Sequence, residues 1–177
     1  IMKRTIAVLC ALVASAFLFA GCEKSAPAQE QREDDIVAIT FDYEKQQGYA
    51  SNQFAVWIEN EAGEQIKTLF VTKFTANAGF EKRPDAIPTW VSRSGAAQND
   101  TVDAASGATP KAGALRFVWD LTDEHGARVP NGTYTYFVEG TLRWKNSVLF
   151  SGEITLDGEA AVTNATAPAP RNRSGDA

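Results

Sequence analysis

Asp103-Ala104-Ala105-Ser106-Gly107-Ala108-Thr109 ends a run of small side chains on a single hydroxyl. Ser106, Gly107 and Ala108 put little bulk in front of Thr109, and Pro110 biases it toward extended backbone. No histidine lies nearby in the sequence to act as a base. The chemistry that suits such a residue is passive: it accepts a group that a separate enzyme transfers. Asp103 fits a role in recognition or in shaping the loop. The same residues also make good turn chemistry, with Asp103 bonding backbone amides and Gly107 at positive φ.

Little else in the chain suggests catalysis. His125 is the only histidine, in the turn Asp123-Glu124-His125-Gly126, and the two cysteines are Cys10 and Cys22. That inventory predicts no zinc or copper site. No nucleophile elbow, phosphate-binding glycine loop or dinucleotide fingerprint occurs. Glu59 with Glu61, and Asp123 with Glu124, read as solvated acids at turns. The net charge is −5 and no basic patch is present, which argues against nucleic acid as a partner. The expectation is a protein without a stand-alone catalytic constellation, not an enzyme.

The first residues set the compartment. Lys3-Arg4 precede an apolar run from Ile6 to Ala20 broken only by Ser15, the layout of a secretory signal. The run is shorter than the ~20 residues that span a bilayer. Phe19-Ala20-Gly21-Cys22 resembles a bacterial lipobox, with Phe19 where an aliphatic residue is usual. That resemblance implies cleavage before Cys22 and its lipidation, which anchors the protein to a membrane; Glu23, not Asp, then implies the outer membrane. Cys10 would be discarded, leaving Cys22 as the only thiol and no disulfide. Removing residues 1–21 takes away Lys3 and Arg4 and no acid, so −5 becomes −7. Residues 22–35 read as a flexible tether, 36–158 as one domain and 159–177 as a disordered, Ala/Pro-rich tail.

Within 36–158 alternation dominates. Val37–Tyr43, Phe54–Glu59, Gln65–Thr72, Leu115–Leu121 and Val148–Leu156 read as strands. Tyr134, Tyr136, Val138 and Gly140 share one face of another, with Thr133, Thr135 and Phe137 on the reverse; Leu142 to Trp144 continues or begins a strand. Asn60-Glu61-Ala62-Gly63-Glu64 reads as a hairpin turn with Gly63 at positive φ. About seven strands between short turns predict an all-β antiparallel sandwich. Arg83–Val91 is the one helical stretch, with Asp85 as a cap and Pro88 in its first turn. Residues 92–113 then form a long Gly/Ala/Ser-rich loop without regular structure, the kind that carries function. Trp57 and Trp119 read as core; Trp90, just before that loop, has the best claim of the tryptophans to a ligand.

Three resemblances sharpen this reading. Asp103 to Thr109 resembles the D-x-x-S-G-A-T acceptor motif of extracytoplasmic flavoproteins. It implies that a flavin transferase esterifies the phosphate of FMN onto Thr109, with Asp103, Ser106, Gly107 and Ala108 as the recognised segment and Lys111 offsetting phosphate charge. Residues 119–140 (WDLTDEHGARVPNGTYTYFVEG) resemble the last hairpin of the immunoglobulin-like domain of flagellar hook-capping proteins, which implies an immunoglobulin-like fold and no flagellar role. From Phe54 to Leu156, through FAVWIEN, RPDAIPTW, VDAASGATPKAG and VPNGTYTYFVE, the chain resembles a bacterial periplasmic family, domain of unknown function 2271. Together they imply a lipid-anchored envelope protein whose covalent FMN serves a membrane or periplasmic redox partner. The competing expectation is an immunoglobulin-like binding or structural lipoprotein without a cofactor.

Overall fold

Period-two alternation becomes strands almost residue for residue. The computed structural model describes residues 36–48, 51–96, 105–143 and 146–157. The lipobox cysteine Cys22, the tether, Asp103, Trp144 and the tail lie outside the described residues. Seven strands are described: β1 (Val37–Tyr43), β2 (Gln53–Asn60), β3 (Gln65–Thr72), β4 (Ser106–Gly107), β5 (Gly113–Trp119), β6 (Gly132–Arg143) and β7 (Asn146–Leu156). Two helices, α1 (Phe80–Lys82) and α2 (Pro88–Ser94), follow β3. The fold is an all-β sandwich. One sheet pairs β1 with β5, and the other runs β4-β3-β2-β6-β7.

β2 is the spine of the larger sheet and is buried on both faces. Phe54, Val56 and Ile58 point into the sandwich, where Ile39, Tyr43, Trp119, Tyr134 and Tyr136 close over them. Full burial of each such aliphatic or aromatic side chain contributes about 1.5–3 kcal/mol. Ala55 and Trp57 point the other way and pack on Val71, Ile87 and Trp90, so the helical segment forms a cover on the outer face. The alternating positions Gln53 and Glu59 on that outer face are buried too.

Local chemistry explains the turns. Gly63 takes φ 77°, and Gly63 N–H donates to Asn60 carbonyl at 2.9 Å, as the hairpin reading requires. At the end of β5, Asp120 accepts from Thr122 N–H (3.2 Å) and from its hydroxyl (2.7 Å). Tyr134 then donates its hydroxyl to Pro130 carbonyl at 2.7 Å, while its ring meets Trp119 edge-on at 5.1 Å.

Four expectations need correction. The sheet is not wholly antiparallel, because β4 pairs in parallel with β3. The helix starts later than expected, at Pro88, and Asp85 does not cap it; the preceding residue is Ile87, without a side-chain cap. Ile87 sits in the left-handed region (φ 44°, ψ 59°), a conformation that costs about 1–3 kcal/mol for such a residue. Thr141 holds it there, its hydroxyl accepting from Ile87 N–H and donating to Asp85 carbonyl, both at 2.9 Å. Glu59 is not a solvated turn acid. It is 3 % exposed, accepting from Trp57 Nε1 at 2.6 Å and from Arg93 Nη1 at 2.7 Å on each oxygen. Finally, residues 92–113 are not all irregular, since α2 reaches Ser94 and β4 interrupts the rest.

Candidate functional site

The acceptor-like segment is an arch with two fixed feet. Its first foot is β4, where Ser106 pairs with Val71 and Gly107 with Thr72, and Val71 N–H donates to Ala105 carbonyl at 3.1 Å. Gly107 is required there by space. A Cβ on it would lie 2.6 Å from the Phe70 ring, and its φ is not positive, which corrects the turn reading. The second foot is Gly113, whose partner across the β1–β5 ladder is Tyr43. Between them Ala108 to Ala112 belong to no strand. Ala108, Lys111 and Ala112 are exposed, and Thr109 is half-buried.

Aromatic rings floor this end of the sandwich. Phe70 stacks on Phe54 at 4.8 Å and leans on Phe117 at 5.2 Å; Phe54 in turn meets Tyr43 at 5.3 Å. Tyr43 is 6 % exposed, and its phenol oxygen is buried without a hydrogen-bond partner among the described residues. Burial pushes its pKa above the ordinary tyrosine value, so the phenol is neutral.

The three described tryptophans are structural. Trp57, Trp90 and Trp119 are all fully buried. Trp57 stacks on Phe137 at 5.1 Å, Trp90 donates Nε1 to Thr68 hydroxyl at 3.2 Å, and Trp119 donates Nε1 to Thr122 carbonyl at 2.8 Å. Trp90, favoured by its place in the sequence, therefore presents no open face to a ligand.

A second polar constellation was missed by sequence reasoning. Glu139 is fully buried, and its carboxylate accepts from Thr89 N–H (3.1 Å), Trp90 N–H (2.8 Å) and Ser147 hydroxyl (3.2 Å). The carboxylate itself is buried and its donors include two α2 amides, so the group pins α2 to the sheet. Its only sequence signal was an acid amid a strand's apolar residues. His125 is exposed in its turn, while Asp123 accepts from His125 and Ala127 N–H groups at 2.9 Å each. Among the described residues there is no group of three potential metal ligands, and no helix is long and apolar enough to cross a membrane. A shallow cavity of about 300 Å³ lies against Gln46, Arg143, Asn146, Ser147 and Val148, with no acceptor residue in its lining.

The strands and the arch all fall within a segment that a family model recognises. Residues 36–172 match the family described as predicted periplasmic protein (DUF2271). The chain belongs to this family. By that description a DUF2271 protein is periplasmic. No curated protein and no solved structure matches the chain.

Proposed function

We propose that this DUF2271 protein is a lipid-anchored carrier of covalent FMN, attached through Thr109 and serving extracytoplasmic electron transfer. The observation that carries the reading is the arch: Thr109 sits outside any strand, half-buried, between two anchored ends. A transferase can grip Ala108 to Ala112 without breaking a ladder hydrogen bond there. The residues present fit the group. Small neighbours leave the hydroxyl approachable, and exposed Lys111 can face the charge that a phosphodiester retains. In the attachment step the donor would be a flavin adenine dinucleotide. Thr109 Oγ bonds to the phosphorus on the FMN side, the pyrophosphate P–O bond breaks, the adenosine monophosphate leaves with the bridging oxygen, and the hydroxyl proton passes to the transferase. Bound FMN supplies the redox chemistry; the protein holds and tunes it. An ester bond suits an envelope protein, because a dissociable cofactor is lost by diffusion. Cys22 supplies the membrane anchor, and Glu23 after it supports the outer membrane as its destination.

Co-expression with a flavin transferase, followed by mass spectrometry, tests the attachment. One FMN adduct is expected, absent from Thr109→Ala; unmodified wild-type protein under those conditions refutes it. A second reading, an immunoglobulin-like binding module, draws on Ile36 (49 % exposed), just before β1, and Val118 (40 % exposed) in β5. It predicts a colourless protein that is indifferent to Thr109→Ala.

A further inference from the structure

Polar atoms inside a protein are almost always paired, so a buried phenol without a partner calls for an explanation. Tyr43 is such a residue, and its position is specific. It ends β1, its Cα is opposite Gly113, and Gly113 is where the Thr109 arch lands. Its ring adjoins Phe54, which stacks on Phe70, and Phe70 lies beneath Gly107 at the other foot. One foot of the arch thus packs on a row of aromatic rings and the other is in register with the strand residue that ends that row, and the row carries one unused hydroxyl.

We propose that the flavin ring borne by Thr109 seats at this Tyr43–Phe70 end of the sandwich, with the Tyr43 hydroxyl as its hydrogen-bond partner. The inference rests on the flavin reading above. Isoalloxazine offers carbonyl oxygens and ring nitrogens that match a neutral phenol, and an apolar face that matches phenylalanine rings. The seat requires no strand to open. Ala108 to Ala112 join the two feet and lie outside both ladders, so they can shift to admit the ring. A hydrogen bond from a buried hydroxyl to the flavin changes its electronics as well as its place, so Tyr43 acts on the cofactor directly.

The test compares wild type, Tyr43→Phe and Tyr136→Phe, each co-expressed with the transferase. Tyr136 is a buried tyrosine of the same core, on the facing sheet, 7 % exposed, and serves as the control. Mass spectrometry first establishes that all three carry one FMN. Visible circular dichroism and the flavin midpoint potential then read the seat. In Tyr43→Phe the induced dichroism is expected to fall and the potential to shift, while Tyr136→Phe matches wild type. If loaded Tyr43→Phe is superimposable on wild type, or if both variants shift alike, the seat is wrong although the flavin reading stands. If wild type itself carries no adduct, the flavin reading fails and the seat with it.

Discussion

Gly107 shows how much one missing methyl group can decide. Its neighbour Phe70 is held between Phe54 and Phe117, so the ring has no room to retreat from an added Cβ. Gly107→Ala is therefore expected to destabilise the protein by about 1–3 kcal/mol through overpacking, read as a lower urea midpoint with unchanged slope. Phe70→Leu placed in the same chain should recover part of that loss; fully additive costs would show that the two residues do not compete for space. Buried Glu139 has the opposite character, since its worth lies in the donors it satisfies. Glu139→Ala leaves the N–H groups of Thr89 and Trp90 and the Ser147 hydroxyl without their acceptor. The expected cost is about 2–4 kcal/mol, seen as a lowered thermal midpoint. An unchanged midpoint would mean that water replaces the carboxylate.

At the scale of elements, the connection after β5 depends on a charged cluster. Lys67 Nζ lies 2.8 Å from Asp120 Oδ1 and also donates to Thr122 hydroxyl. Partial burial works against the Asp120 charge, but hydrogen bonds from Lys67 and Thr122 outweigh it and hold its pKa below the ordinary value. A depressed carboxyl contributes stability that is complete above its unfolded pKa, about 3.9, and is lost as pH falls through the lower folded value. Asp120→Asn should flatten that part of the acid limb in a pH series of denaturant melts. The carboxylate is more than half exposed, so the effect should shrink in high salt. The strands themselves were legible because alternation survives wherever one face is apolar. β4 was not, since two residues show no period and its partner, β3, is distant in sequence. The outer face of β2 also misled: Glu59 reads as a solvated acid until a helical cover supplies its partner, and Gln53, on the same face, is buried as well. Gln53 Oε1 accepts from Thr72 hydroxyl at 2.6 Å and from Thr75 hydroxyl at 3.1 Å. Arg93, from α2, answers Glu59. Such pairing depends on tertiary proximity, which no local pattern encodes. Thr109 was singled out by motif, and its place between β4 and β5 is seen only in the structure.

For the whole molecule, stability is graded across the larger sheet. β2 has a strand on each side and a packed layer on each face, whereas β4 contributes two residues at a margin. Hydrogen exchange should therefore be slowest at the β2 amides and much faster at Ser106 and Gly107. Equal protection across both strands would contradict that gradient. A parallel pair this short gives the molecule a selvage: a border that can be lifted while the cloth stays woven. On the flavin reading, a modifying enzyme would work on Thr109 just beside that hem, and the domain need never pass through its denatured state for the transfer.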